Sequence, residues 1–423
     1  MAGLGFAAPI GLRSNEQAQT KEPDLYEGPY YLVFNASGGW DTTYLMDPKG
    51  VNDINRLYRH GDILTKGAHR FAPNETQIDK AKGISNETFF NRYGSELLVL
   101  NGLDYSVNNH SPCQRYMATG KLDSHAYPTF AALAAACKGS DSPLAFLTFG
   151  NYSATGNIVP MARVPYLPTL KLLAKADHVQ GGGHAYHEGF VTDRIDQALK
   201  AHNEATLSKA LLPRVERSES MLYSAQLSSK TLKHVTPYIP DKIPKERLAQ
   251  QAEIALASFK AGVCVSANLS IGQFDSHANN DPDQMNLIPE FLQGIDHTLM
   301  RAEELGIRDE LVVVIQSEMA RTPHYNKGNG KDHWSIGSIM FIGSGIEGNR
   351  VVGKTDEGQF LIPIDPQSHQ LQKDKDSKDG IRVRPEHIHQ SLRELAGIDK
   401  HALADQFPLK VKRGEELKNL WVG

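Results

Sequence analysis

Buried elements alternate along this chain with amphipathic ones, and polar clusters recur where the apolar runs stop. Tyr31 to Phe34, in PYYLVFNASGGWD, is a short aromatic and β-branched run followed by Gly38 and Gly39. It predicts a first core strand that ends in a tight loop. Apolar runs at Leu97–Leu103, Leu144–Gly150, Val263–Leu269 and Leu311–Ile315 predict further strands, and Ser335–Ile342 leads into a glycine-rich region with strand-like edges. Between them, TFAALAAACKG, EFLQGIDHTLMRAEELG and HIHQSLRELAGID carry apolar residues at three- and four-residue intervals, which predicts helices. Strand and long helix in alternation point to an α/β protein, an α/β/α sandwich around a mostly parallel sheet.

Residues 170 to 250 break that rhythm. A Gly/His-rich loop, HVQGGGHAYHEG, precedes charged helical patterns such as TDRIDQALKAHNEA, ERSESMLYSAQL and KERLAQQAEIALASFKAG. They predict a helical insertion or cap ending in a helix that feeds the Val263–Leu269 strand. The expected organisation is a flexible segment over 1–28 and a single α/β domain over 29–423, with the insertion at about 170–250.

Composition narrows the function classes. With 423 residues, 40% of them hydrophobic and 22% charged, the chain can bury a large core. A formal net charge of -4 without a Lys/Arg block argues against nucleic-acid binding. No apolar window is long enough for a membrane span. The three cysteines, Cys113, Cys137 and Cys264, have the spacing of neither a zinc knuckle nor a disulfide framework.

In parallel sheets the chemistry sits beyond the carboxyl ends of the strands, and the polar clusters fall there. In GQFDSHANNDP, Asp275 and His277 are two residues apart, so a persisting strand would direct both to one ion; a satisfied Asp–His pair is the alternative. Glu318 follows VVVIQS, where an unpaired carboxylate would be costly. Arg321, three residues on, either neutralises it or clamps an oxyanion. Asp332 and His333 occupy the polar loop NKGNGKDHW, and Asp41 follows Gly38-Gly39 either as a ligand or as a helix cap. His184 and His187 are a further ligand pair to consider. Imidazole with carboxylate suits a divalent metal, zinc first, then manganese or iron; carboxylates alone suit calcium or magnesium. In NNHSPCQRYMATG, the residues His110, Ser111, Cys113 and Arg115 are candidates for nucleophile and anion contact. The alternative there is an ordinary helix start with Ser111 as cap and Pro112 first in the helix.

These motifs carry a resemblance. Gly38-Gly39-Trp40-Asp41, Asn109-His110 through Thr119-Gly120, Gly272 through Asn279, Ser317 through Thr322 and Lys331 through Trp334 follow one another between about residues 30 and 355. In that order they resemble the DUF1501 family, whose fold belongs to the alkaline phosphatase and sulfatase superfamily. The resemblance implies an alkaline phosphatase-like domain with Asp41, Asp275, His277, Glu318, Asp332 and His333 as metal ligands. It also implies Ser111, His110, Arg115 and Arg321 as catalytic residues acting on an anionic small-molecule or saccharide ester, either phosphate or sulfate. Ser111 and Arg115 stand as the ends of a Ser-Pro-Cys-Gln-Arg run that only partly matches the sulfatase signature. The resemblance implies export to the periplasm; no Arg-Arg pair opens this chain, and a cytoplasmic location stays open. A non-catalytic protein using the same scaffold for binding or assembly is the other expectation.

Overall fold

The computed structural model describes residues 25–74, 83–150, 152–175, 178, 184–209, 212, 215–216, 218–219 and 229–422. The expectation for residues 1–28 therefore lies mostly outside the described residues, as does most of ERSESMLYSAQL.

The strands are β1 (Tyr30–Ala36), β2 (Leu97–Asp104), β3 (Phe146–Thr148), β4 (Met161–Ala162), β5 (Ser266–Ile271), β6 (Leu311–Gln316), β7 (Ile336–Gly343) and β8 (Arg350–Val352). They form one eight-stranded sheet in the order β8-β2-β7-β6-β1-β5-β3-β4. All pairings are parallel except those of β7, which runs antiparallel to both β2 and β6. The central strands read as unbroken apolar runs because both of their faces are covered. Leu32 and Phe34 of β1 enter one core, and Tyr31 and Val33 enter the other.

The first core lies under α1 (Asn86–Tyr93), α4 (Leu167–Ala174), α6 (Arg247–Lys260) and α7 (Asn280–Glu304). The second lies under α2 (His110–Thr119), α3 (Phe130–Lys138) and α8 (Pro385–Leu395). Helices on both faces of one sheet make an α/β/α sandwich. In α6, Leu248, Ile254, Leu256 and Phe259 are all buried, each contributing about 1.5–3 kcal/mol. Thr129 caps α3 by accepting from the Ala132 N–H, and Ser85 caps α1 through Thr88.

Much of the stretch from 170 to 250 belongs to the covering layer. Leu170 of α4 and Leu232 and Val235 of the 3-10 segment Ser229–Tyr238 pack into the first core. Helix α5 (Gly189–Leu207) is different: among the described residues, none of its side chains enters either core, and Phe190, Ile195 and Leu199 are exposed. No described helix is long and apolar enough to cross a membrane.

What positions the site is the level at which three neighbouring strands stop. In register, Ala36 of β1 faces Ile271 of β5, and Asn35 faces Gln316 of β6. The loops that follow therefore leave the sheet side by side. Because β7 is antiparallel, the segment preceding it also arrives at this end.

Candidate metal centre at the strand ends

The three loops are packed backbone to backbone. Gly38 has φ +115, and a Cβ there would meet the Asp275 amide nitrogen at 2.6 Å; Gly39 has φ +90 and abuts the Arg321 guanidinium. Only glycine combines that conformation with that approach. The Gly38 N–H donates to Glu318 Oε1 at 2.6 Å, and the Phe274 N–H donates to the Ser37 carbonyl at 3.2 Å. Asp275 and His277 do not lie on a continuing strand. β5 ends at Ile271, Gln273 has φ 81, and tight turns carry the His277 N–H back to the Asp275 carbonyl at 3.1 Å. Convergence is reached nonetheless, with His277 Nε2 3.0 Å from Asp275 Oδ1.

His333 stands on the two-residue ribbon His333–Trp334, paired with Ala320–Arg321, just before β7. Its Nε2 lies 3.0 Å from His277 Nε2 and 3.4 Å from Asp275 Oδ1. His110, at the first position of α2 after the Asn109 cap, places Nε2 3.3 Å from Asp275 Oδ2 and Nδ1 3.4 Å from Glu318 Oε1. His110, Asp275 and His333 each offer a ligand atom within 4.8 Å of the others.

Protonation follows from the partners. His333 Nδ1 faces the Asn108 carbonyl at 2.9 Å, which can only accept, so that nitrogen carries the hydrogen. His277 Nδ1 faces Asp332 Oδ1 at 2.8 Å; hydrogen bonds from His277 and Asn326 hold the Asp332 carboxyl below the usual range, so His277 donates as well. With Nδ1 the donor in each ring, the Nε2 atoms face each other across 3.0 Å. A proton or a cation has to lie between them. Burial, with Arg321 and His110 nearby, lowers His333 and favours its neutral form. Burial works against ionisation of Asp275, but Arg321, His110 and His277 hold its carboxyl below the usual range. The hydrogen bond to Glu318 raises His110.

Two further observations fit a cation-binding role for the cluster. Glu318 Oε2 and His110 Nε2 are buried polar atoms without a hydrogen-bond partner, an arrangement that is costly unless something binds there. In formal charge, Asp275, Glu318 and Asp332 stand against the single guanidinium of Arg321, leaving two negative charges for a divalent ion or for protons on the imidazoles.

Other expected residues take different places. Asp41 is wholly buried and ion-paired with Lys331 at 2.7 Å, while it also accepts from Thr43 Oγ1 at 2.6 Å and Asn280 Nδ2 at 3.0 Å. Its carboxylate caps the 3-10 turn Thr42–Tyr44 and is spent on protein donors. Arg321 is fully buried and each of its nitrogens is engaged: Nε donates to the Gly39 carbonyl at 2.8 Å, Nη1 to Asp275 Oδ1 at 2.9 Å and to the Lys331 carbonyl at 3.3 Å, and Nη2 to the Gly38 carbonyl. It ties three loops together and has no fork left for a substrate. Arg115 turns to the Leu122 carbonyl at 2.8 Å and to His125, away from the cluster. Ser111 is exposed at the second position of α2, so Asn109 rather than Ser111 is the cap. Cys113 is buried, and burial pushes its thiol well up, which removes it as a nucleophile. His184 and His187 are exposed on the approach to α5.

Lys331, Gln114 and Asn326 escaped sequence reasoning. Gln114 donates to Glu318 Oε1 at 3.2 Å, and Asn326 donates to the His277 carbonyl at 2.9 Å. Lys331 and Gln114 meet partners more than 200 residues away, so no local pattern marks them.

The chain is thus an α/β/α sandwich that gathers imidazoles and carboxylates at its strand ends. The model of the DUF1501 family, proteins of unknown function, matches residues 185–408. That is over half the chain, and the protein belongs to this family. No curated protein matches the chain. Among solved structures it is similar to a sulfatase from Pseudoalteromonas sp. at 10% identity, covering 92% of this chain and 73% of that one with a TM-score of 0.40. It is also similar to the lipoteichoic acid synthase LtaP from Listeria monocytogenes at 7% identity, 89% and 74% coverage and a TM-score of 0.39. A protein from Pyrococcus horikoshii is similar at 11% identity, 88% and 98% coverage and a TM-score of 0.35.

Proposed function

We propose that this protein is a metal-dependent hydrolase of phosphate or sulfate esters. The observation that carries the reading is the pair of facing Nε2 atoms of His277 and His333, 3.0 Å apart and both beside Asp275. The donor set of His110, Asp275, His277 and His333 fits a zinc, manganese or iron ion better than calcium or magnesium. When bound, such an ion polarises ester oxygens and lowers the pKa of the water or hydroxyl it holds. The remaining work falls to the chain. Asp332 orients His277, the Asn108 carbonyl orients His333, and Glu318 holds His110. Ser111, exposed next to His110, is the hydroxyl this chain offers as nucleophile, with water as its competitor.

Elemental analysis of protein purified without chelator or metal-affinity tag, followed by a phosphatase and sulfatase substrate panel, tests the proposal. Bound divalent metal and turnover, both lost in Asp275→Ala, are expected. A folded protein that stays metal-free in the presence of zinc, manganese and iron would sink it. A non-catalytic binding role draws on one observation, the engagement of every donating arm of Arg321 with protein. Stoichiometric metal with no turnover on the whole panel favours that role.

A further inference from the structure

Helix α5 (Gly189–Leu207) carries apolar residues that, among the described residues, neither core takes up. Its inner face is marked by Asn203, which is buried, and by Thr192 and Asp196, which are half-buried. To one side of that face, Val191, Ile195, Ala198, Leu199, His202 and Thr206 share an arc of about 100° on the helix. Ile195 and Leu199 are 44% and 40% exposed, and Ala198 and His202 are exposed as well. A stripe of this width ordinarily faces a core.

The stripe reads the same in both directions. Its spacings are four, three, one, three and four, so its midpoint lies between Ala198 and Leu199. An antiparallel copy of the helix, turned about a two-fold axis at that midpoint, sets Ala198 against Leu199 of the second copy. The same rotation sets Ile195 against His202 and Val191 against Thr206. The Thr206 hydroxyl already donates to the His202 carbonyl at 2.9 Å, so this position brings no unsatisfied donor into the contact.

The symmetry extends to charge. Glu188, the N-cap residue, lies three positions before Val191, and Lys209, just past the Ser208 C-cap, lies three after Thr206. Both are exposed. In the antiparallel register each Glu188 meets Lys209 of the other copy, and an opposite-charge pair closes each end of the contact. A parallel copy would set like charges on each other instead. An anionic lipid surface fits less well: from Glu188 to Lys209, Glu188, Asp193, Asp196 and Glu204 outnumber Arg194, Lys200 and Lys209.

We infer that two copies of this chain associate through α5, antiparallel about a two-fold axis between Ala198 and Leu199. One helix of about 28 Å per copy makes a small interface, so the dimer is reversible and its population rises with concentration. This association does not depend on the hydrolase reading.

Sedimentation equilibrium of the full chain over about 1–200 μM tests it, with far-UV circular dichroism as the check on folding. A monomer–dimer equilibrium is expected. Ile195→Glu places a carboxylate in the contact twice per dimer and should weaken association at least about tenfold. Glu188→Lys and Lys209→Glu should each weaken it about fivefold at low salt, and the two together should restore it. Each single change also removes a favourable charge from a helix end, and those losses add in the double variant, so recovery reports the pairing across the axis. A chain that stays monomeric over the whole range overturns the inference, and binding of that monomer to phosphatidylglycerol vesicles would assign the stripe to a lipid surface. Association undiminished in folded Ile195→Glu overturns it as well, as does a double variant no better than the single ones.

Discussion

The Asp41–Lys331 pair offers the sharpest test of how the site is supported. The two charges meet at 2.7 Å with both side chains fully out of water. The rings of Tyr325 and Tyr44 lie 5.1 and 5.7 Å from the ammonium. Lys331→Met keeps the length of the side chain and strands the carboxylate. Uncompensated buried charges cost about 3–5 kcal/mol. Asp41 would still accept from the Thr43 N–H, Thr43 Oγ1 and Asn280 Nδ2, so about 3 kcal/mol is expected. Asp41→Asn leaves an ammonium between two tyrosines, and about 4 kcal/mol is expected. The double variant removes both charges and should lose no more than about 3 kcal/mol, which makes the coupling several kcal/mol. Urea denaturation followed by far-UV circular dichroism measures all corners of the cycle. Additive losses, or a single-variant loss below about 1 kcal/mol, would show that the pair contributes little and refute the reasoning.

Asp332→Asn should leave the fold intact, since this carboxylate is largely exposed, yet weaken metal binding about 10–100-fold by releasing His277, as read by equilibrium dialysis. Lys331→Met should also weaken metal binding, because it releases the 2.7 Å tie to Asp41 that fixes the residue directly before Asp332 and His333; unchanged affinity would separate fold support from site support. His389 is fully buried with Nε2 2.8 Å from the Met117 carbonyl, and burial lowers its pKa to about 4. The unfolded chain takes up this proton near pH 6.5 and the folded chain only near 4, so the stability contribution is complete above about 6.5 and drains away as pH falls toward 4. The loss amounts to roughly 3 kcal/mol. His389→Gln should flatten the dependence of the denaturation midpoint on pH over that window, and an unchanged slope would reject the assignment. Arg321→Lys keeps a charge but cannot reach Gly38, Gly39 and Asp275 at once; a loss of about 2–3 kcal/mol in the same denaturation assay is expected.

The strands were legible because burial on both faces writes itself as continuous apolar sequence, as in LVVVIQ of β6. Helix α7 was only partly so. Its observed start at Asn280 precedes the expected segment by ten residues, because Pro289 lies inside the helix and reads locally as a boundary. Asp275, His277 and Glu318 were found by their place after buried strands. Their convergence was not readable, since it depends on turns after Ile271 and on Gly38 admitting the neighbouring loop. Asp41 shows the limit of the same logic. A buried carboxylate after a strand needs a partner, but nothing local says whether that partner is a cation in solution or Lys331, 290 residues away.

His333 makes the complementary point. A rule that places chemistry at the carboxyl ends of parallel strands would put a residue lying before a strand on the wrong side of the sheet. His333 comes before β7, and it reaches the cluster only because β7 runs antiparallel between β2 and β6. The same reversal carries Trp334 and, through the ribbon with Ala320–Arg321, draws it against the loop after β6. One strand direction thus sets both the fourth side of the candidate metal centre and the place of Trp334 beside it. A change that disturbs the β7 pairing should weaken metal binding and shift the emission of Trp334 together, whereas Asp275→Ala should weaken metal binding and leave the emission in place.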